Sequence, residues 1–297
     1  MSTQWELRAV IPAKLADALE AHCYELDASP WGISQKEPQD PFELFGFFPN
    51  ASAADSALMN LRAVFKELPD DFELQEIADA NWQNAYKAFV KPWSDRILHW
   101  IPLWERETTQ APKGAAVVYL EAGMAFGTGS HETTRLCARR LIDFLELRPT
   151  DLETAQVVDA GCGSGVLALS AAALGFKQIE AFDVDPEVLA VCQNNNRENP
   201  HLPSLNYTVG DLDSGLNHKQ ADLLLANIQA DVLMPAAKNL LQALRPGATL
   251  ALSGILVQEI EAVRAHFQNA CHTHFQNKFR IESRTDGEWA DLCLMLD

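Results

Sequence analysis

The sequence predicts an α/β fold: a mostly parallel sheet ending in an antiparallel C-terminal hairpin, preceded by a small α+β domain. Three observations predict it. From about residue 116, apolar strand segments alternate with helical stretches, the pattern of βα units joined by right-handed crossovers. Near the end the rhythm breaks, where FRIESRTDG and EWADLCLML flank Asp286-Gly287, a hairpin signal. The first 78 residues carry a shorter and different order of elements. The chain is therefore divided into 1–78, a connector over 79–115, and 116–297. Its 297 residues suffice for about two domains.

In order, QWELRAV (4–10) reads as a strand, and Pro12 opens a helix to about Leu26. Leu15, Ala18, Leu19 and Cys23 are expected on one helical face. Extended segments follow near 31–36 and 42–48. PNASAAD starts a second helix with Leu58, Leu61, Val64 and Phe65 at helical spacing, and 72–77 is a last short strand. The order β-α-β-β-α-β fits a ferredoxin-like split βαβ unit. In the connector, Trp82, Tyr86 and Phe89 share a helical spacing that Pro92 ends, and ILHWIPLWERE reads as a strand with Trp100 and Trp104. Such an aromatic stripe is read as packing. The strands of the last region are VVYLEA (117–122), QVVDAG (156–161), QIEAFDV (178–184), LNYTVGD (205–211), ADLLLANI (221–228) and ATLALSG (248–254).

An apolar fraction of 47%, with 7 Trp and 14 Phe, supplies a large core and excludes a disordered chain. The net charge of −18 argues against nucleic acid, whose recognition draws on Lys and Arg neutralising phosphates. It suits a basic protein partner, or simply solubility. Cys23, Cys137, Cys162, Cys192, Cys271 and Cys293 form no C-x-x-C pair. The start MSTQWELRAV has neither a basic nor an apolar leader region, and no apolar run reaches membrane length. A cytoplasmic protein with reduced thiols and no membrane partner is expected. CHTHF (271–275) reads as a strand with His272 and His274 on one face, but no second ligand cluster accompanies it, so no metal is expected.

The strongest feature is VVDAGCGSG, residues 157–165: an apolar strand, Asp159, a glycine turn, then a helix. Gly161, Gly163 and Gly165 let the backbone approach a ligand and take positive φ, and the helix N-terminus behind them offers free N–H groups. Asp183, in AFDVDP, lies 22 residues beyond Gly161, at a strand end where an acid holds ribose hydroxyls. A dinucleotide site wants G-x-G-x-x-G. Here the third glycine comes one position early, and G-x-G-x-G after an acid resembles the first motif of Rossmann-like, class I methyltransferases. Their cofactor, S-adenosylmethionine, carries an ammonium, so Asp159 near the turn makes electrostatic sense. By that likeness, Asp211 in the loop after the third strand would accept from the adenine amino group, or be an ordinary loop acid. Asn227 ends the fourth strand, where ligands bind in open α/β sheets. Its amide is read as orienting an incoming amine, or as capping the next helix.

GMAFGTGSHETT (123–134), VVDAGCGSG, AFDVDP, LLLANIQA and LALSGILVQE together resemble the ribosomal protein L-eleven (L11) methyltransferases, bacterial enzymes that methylate lysines and the N-terminal amine of a large-subunit ribosomal protein. The likeness covers about 180 residues well. It implies S-adenosylmethionine as cofactor, with contacts at Thr134, Gly161, Asp183 and Asn227. It also implies that the AFGTG loop, with Phe126, Gly127 and Thr128, folds over the cofactor, and that residues 1–78 recognise a basic ribosomal protein. Glu121-Ala122 stand where the family usually has Asp-Pro, and Glu132 where it has Pro. The expected reaction is protein lysine N-methylation, with Asn227 as the catalytic side chain. His131 is a candidate base by position, or a residue that orders the loop. The alternatives are a methyltransferase acting on another protein lysine or a small amine, an NAD-dependent oxidoreductase, and a binding module that keeps the fold.

Overall fold

The computed structural model describes residues 4–25, 30–35, 40–77, 91–121, 131–275 and 278–297. The chain forms two compact units, Met1–Phe89 and Val90–Asp297.

The first unit runs β1 (Gln4–Ile11), α1 (Ala13–Glu25), β2 (Trp31–Ser34), β3 (Phe42–Phe48), α2 (Ala51–Val64) and β4 (Glu73–Ile77). Its antiparallel sheet has the order β2-β3-β1-β4. Alternate residues of each strand point to one face, so Leu7, Ala9 and Ile11 of β1 join Leu44, Phe48 and Trp31 in burial. Leu15, Ala16, Leu19 and Leu61 cover them from the helices. Two expected contacts fail. Ala18 is exposed because the buried arc of α1 runs through Leu15, Leu19 and Ala16, and Val64 is 58% exposed at the end of α2. Asn50 starts α2, its Oδ1 accepting the Ala53 N–H at 2.8 Å.

The second unit opens with a small sheet, β5 (Trp93–Asp95), β6 (Leu98–Pro102) and β7 (Ala116–Leu120), in that order. The 117–122 strand was expected in the main sheet. Instead β7 pairs with β6 in parallel, because Leu98 and Trp100 of β6 form one buried cluster with Val118 and Leu120. The Trp100 indole N–H donates to Ser170 Oγ at 2.8 Å. Trp104 falls in a 3-10 turn after β6.

The main sheet contains β8 (Gln156–Ala160), β9 (Gln178–Asp183), β10 (Tyr207–Val209), β11 (Ala221–Asn227), β12 (Leu244–Leu256), β13 (Phe279–Glu282), β14 (Thr285–Asp286) and β15 (Trp289–Leu296). The order is β10-β9-β8-β11-β12-β15-β13, with β14 paired to β15. The first five are parallel; β15 runs antiparallel to β12, and β13 to β15. The hairpin expectation therefore holds, with its turn at Gly287 (φ 59). The helices between and around these strands are α3 (Glu132–Leu147), α4 (Val166–Ala173), α5 (Val188–Glu198), α6 (Ala230–Leu233), α7 (Ala237–Gln242) and α8 (Ile260–Phe275). Val157, Leu223, Leu225 and Ala251 pack with α3 and α4 in one cluster; Val158, Leu224, Ala226 and Leu252 pack with α7 and α8 in another. The strand succession runs outward from β8 through β9 to β10 on one side and through β11 to β12 on the other, so the switch point, at whose carboxyl edge ligands bind, lies between β8 and β11.

The strand expected at CHTHF is corrected. Val263, Phe267 and Cys271 are buried at a four-residue spacing, so α8 continues to Phe275. His272 instead meets the Phe279 ring at 5.0 Å. No group of three metal-binding side chains occurs among the described residues, and no described helix is long and apolar enough to cross a membrane.

Candidate functional site

The glycine turn joins β8 to α4. Gly161, Gly163 and Gly165 have φ of 68, 51 and 78, left-handed values that cost an L side chain about 1–2 kcal/mol. Space is also short: a Cβ on Gly161 would lie 2.9 Å from Ile228 Cδ1, and one on Gly165 3.1 Å from the Tyr207 hydroxyl. The turn is tied to the next strand. Gly161 and Cys162 N–H groups donate to the Phe182 carbonyl at 2.9 and 3.0 Å.

Asp183 ends β9 and is half-buried. One carboxylate oxygen accepts the Gly163 N–H at 2.9 Å, and the other accepts the Asp185 N–H at 3.0 Å. An ionised carboxylate offers about four lone-pair sites, so both oxygens keep capacity for a ligand. Gly210 donates to the Asp183 carbonyl at 2.9 Å, which sets Asp211 beside this group. Asp211 is exposed, and its Oδ1 accepts from Ser214 N, Ser214 Oγ and Asp213 N at 2.7, 2.7 and 3.1 Å. The Ser214 backbone bond, first among these, holds its carboxyl below the usual range.

Asp159 lies one residue inside the end of β8 and is 1% exposed. Its Oδ2 accepts the Ala168 N–H at 2.9 Å, serving the first turn of α4, whose Gly165 has no side chain to cap with. Its Oδ1 has no partner. Burial, more than the nearby Asp183 carboxylate, raises its pKa to about 7.

On the other side of the switch point, Asn227 ends β11. Its Nδ2 donates to Thr134 Oγ1, in the first turn of α3, at 3.1 Å. The fold thus joins two sequence candidates that lie 93 residues apart. This bond fixes the amide and leaves Asn227 Oδ1 buried without a partner. His131 caps α3: the Thr133 N–H donates to its Nδ1 at 3.3 Å, and Thr133 Oγ1 lies 2.7 Å from the same nitrogen. Its ring meets Trp289 edge-on at 5.0 Å. Burial is the largest influence on the imidazole and pushes its pKa down. Phe126, Gly127 and Thr128, like Trp82, Tyr86 and Phe89, lie outside the described residues.

Sequence reasoning missed Ser253. It is the register partner of Asn227 on β12, fully buried, with an Oγ that has no partner. The available signal was its place in LALSG, a polar residue following an apolar run as Asn227 does in LLLAN. Tyr207, buried with an unpartnered hydroxyl, was missed as well.

Compared with known proteins, residues 14–295 match the family described as ribosomal protein L11 methyltransferase. A relative of that name from Pelobacter propionicus is 34% identical, covering 97% of this chain and 96% of the relative. One from Azotobacter vinelandii is 34% identical, covering 89% and 92%. Among solved structures, a ribosomal protein L11 methylase from Lactobacillus delbrueckii subsp. bulgaricus superposes with a TM-score of 0.57 at 24% identity, covering 68% of this chain and 96% of that one. At that identity the superposition speaks for the fold.

Proposed function

The chain belongs to the ribosomal protein L11 methyltransferase family, and on that premise we propose that it methylates ribosomal protein L11 with S-adenosylmethionine, at lysine side chains and the N-terminal amine. The observation that carries this reading is the convergence of two half-sites on one sheet edge. One is a glycine cradle with Asp183; the other is an Asn227 amide fixed by Thr134 with its oxygen left open. The dinucleotide alternative is set aside by the family match, with which the early third glycine agrees.

The residues present fit the cofactor. A Cβ would fill the cradle at Gly161 and Gly165, and the unpartnered Asp159 Oδ1 is an acceptor for a cationic group. Gly161, Gly163 and Gly165 admit the methionine end, Asp183 holds the ribose hydroxyls and Asp211 the adenine amino group. Thr134 acts through Asn227. When bound, S-adenosylmethionine supplies an electrophilic sulfonium methyl and leaves as S-adenosylhomocysteine once an amine has taken it. The protein has to present that amine neutral and aimed. A free lysine has a pKa of ~10.4, and a dry site lowers it by disfavouring the charged form. Asn227 Oδ1 then accepts an N–H of the amine and orients its lone pair. With Nδ1 engaged at Thr133, His131 orders the start of α3.

Residues 1–78 act as the recognition module in this reading. They hold 14 acidic against 5 basic side chains, a field that speeds the approach of a basic ribosomal protein in the cytoplasm. The direct test incubates the purified protein with S-adenosylmethionine and ribosomal protein L11 and reads methylation by peptide mass spectrometry. Methylated lysines are expected, and an unmodified L11 overturns the proposal. Removing residues 1–78 leaves cofactor affinity intact and abolishes transfer to L11. Full-rate transfer by the shortened chain refutes the recognition role.

A further inference from the structure

We infer that the Ser253 hydroxyl is a second acceptor for the amine that this site methylates, acting beside the Asn227 amide oxygen; the inference rests on the methyltransferase reading above. Among the described residues, several buried side-chain N and O atoms have no hydrogen-bond partner. Three of them, Asp159 Oδ1, Asn227 Oδ1 and Ser253 Oγ, sit on the neighbouring strands β8, β11 and β12. They also share a face. Leu225 pairs with both Asp159 and Ala251, and Asn227 and Ser253 each lie two residues farther along their strands. An orphaned buried polar group costs about 1–3 kcal/mol. Three such groups gathered at the ligand edge of one sheet mark a place that a ligand completes.

Asn227, at the end of β11, and Ser253, its register partner inside β12, are both held for this task. Neighbouring strands lie about 4.7–4.9 Å apart, so one nitrogen placed between Asn227 and Ser253 reaches both oxygens. Asn227 cannot turn its NH2 group to that nitrogen while Nδ2 is bonded to Thr134. Ser253 is pinned from behind: its carbonyl accepts the Ile228 N–H at 3.0 Å. The pairing of β12 with β15 is irregular between Leu252 and Ile255. There Gly254 takes φ +82, and a Cβ on it would lie 2.6 Å from the Ile228 carbonyl oxygen. This close contact presses the Ser253 backbone against the exit of β11.

The chemistry selects this pair. A neutral primary amine has two N–H donors and one lone pair. Two fixed acceptors take both donors and leave the lone pair pointing away from both oxygens. Both acceptors are uncharged, so they do not favour the protonated amine, which has no lone pair, as a carboxylate would. A monomethylated amine has only one N–H left, for which Asn227 alone suffices. Ser253 therefore matters most for the first methyl.

The test uses the full chain carrying Ser253→Ala or Ser253→Thr. The substrate is ribosomal protein L11 whose target lysine, the one the wild type modifies, is either unmethylated or monomethylated. Ser253→Ala is expected to lower kcat on the unmethylated lysine by about tenfold, the loss of one oriented hydrogen bond, and on the monomethylated lysine by less than about threefold. Calorimetry is expected to show S-adenosylhomocysteine affinity unchanged and weaker binding of unmethylated L11 to that complex. The melting temperature should hold or rise, since no bond is lost. Ser253→Thr, which keeps the hydroxyl, is expected to restore the first transfer. Equal losses on both substrates, undiminished rates, or a fall in cofactor affinity that accounts for the whole effect overturns the inference while the methyltransferase reading stands. A wild type inactive on L11 overturns that reading and this inference together.

Discussion

Two buried aspartates in the same sheet make opposite use of their burial. Asp291, on the antiparallel side, is 0% exposed, and Asp159, at the switch point, is 1% exposed. Asp291 is saturated: Arg140 grips it with Nε and a terminal nitrogen, each at 2.8 Å, and the Arg284 N–H adds a bond at 2.7 Å. Asp159 receives one N–H and keeps an oxygen open. The difference separates a carboxylate whose two oxygens are both engaged within the fold from one that keeps an oxygen open. The hairpin side holds further matched pairs, Arg139 on Asp286 and Arg284 on Asp143. At the carboxyl edge the acceptors outnumber their donors, which is the state of a surface that awaits a ligand.

The comparison is broken most severely at Asp291. Asp291→Ala leaves the Arg140 guanidinium buried, with Glu282 at 3.4 Å and the more distant Asp143 as its remaining acids. Removing one partner of a buried pair costs roughly 3–5 kcal/mol. Urea unfolding should show that loss, and a variant within about 1 kcal/mol of wild type would mean the pair is replaceable.

Asp159 should show the reverse. Its folded pKa of about 7 lies above the reference of 3.8, so folding takes up a proton between those values. Its share of stability is full below pH 3.8, declines as pH rises to about 7, and stays low beyond. The swing is on the order of 4 kcal/mol. Asp159→Asn keeps an acceptor for Ala168 and removes the charge. Its unfolding free energy should therefore lose this slope and exceed wild type at pH 8. An Asp159→Asn protein that is less stable than wild type at pH 8 would show that the acid is structural.

Next comes the ribose acid. Asp183→Ala should weaken S-adenosylhomocysteine binding by roughly 2–4 kcal/mol, as two hydroxyl bonds to a charged acceptor are lost. Because Gly163 also loses its partner, a slight fall in melting temperature should accompany it. An unchanged dissociation constant by calorimetry removes Asp183 from the site.

The smallest effect is expected at Gly161→Ala. There a positive φ and the Ile228 contact together cost about 1–2 kcal/mol, read as a several-fold loss of cofactor affinity. Equal affinity would show that the turn yields.

Local chemistry made half of the site legible in the sequence. A glycine turn after an apolar strand, an acid at the next strand end and an Asn closing LLLAN are features of single segments, and each lies at the carboxyl edge. What could not be read was pairing between segments. Nothing local to Asn227 points to Thr134, and nothing in LALSG says that Ser253 stands beside Asn227. The same limit misplaced β7, whose alternation is that of a strand but whose partner is β6. CHTHF failed differently. Its polar alternation was read over five residues, whereas the helical period that governs it begins at Val263.

The place of β15 orders events during synthesis. The first unit closes its sheet by Ile77, so that sheet is complete while most of the chain is still unmade. The second cannot close early. Its last-made strand lies between β12 and β13, and Leu292 and Leu294 are 0% exposed there. Until Trp289–Leu296 has left the ribosome, β12 presents an unpaired edge and Arg140 waits for an acid 151 residues downstream. At about 5–20 residues per second, that interval lasts several seconds to tens of seconds. A nascent chain arrested before Trp289 should therefore expose a protease-resistant first unit and a second that is cut throughout.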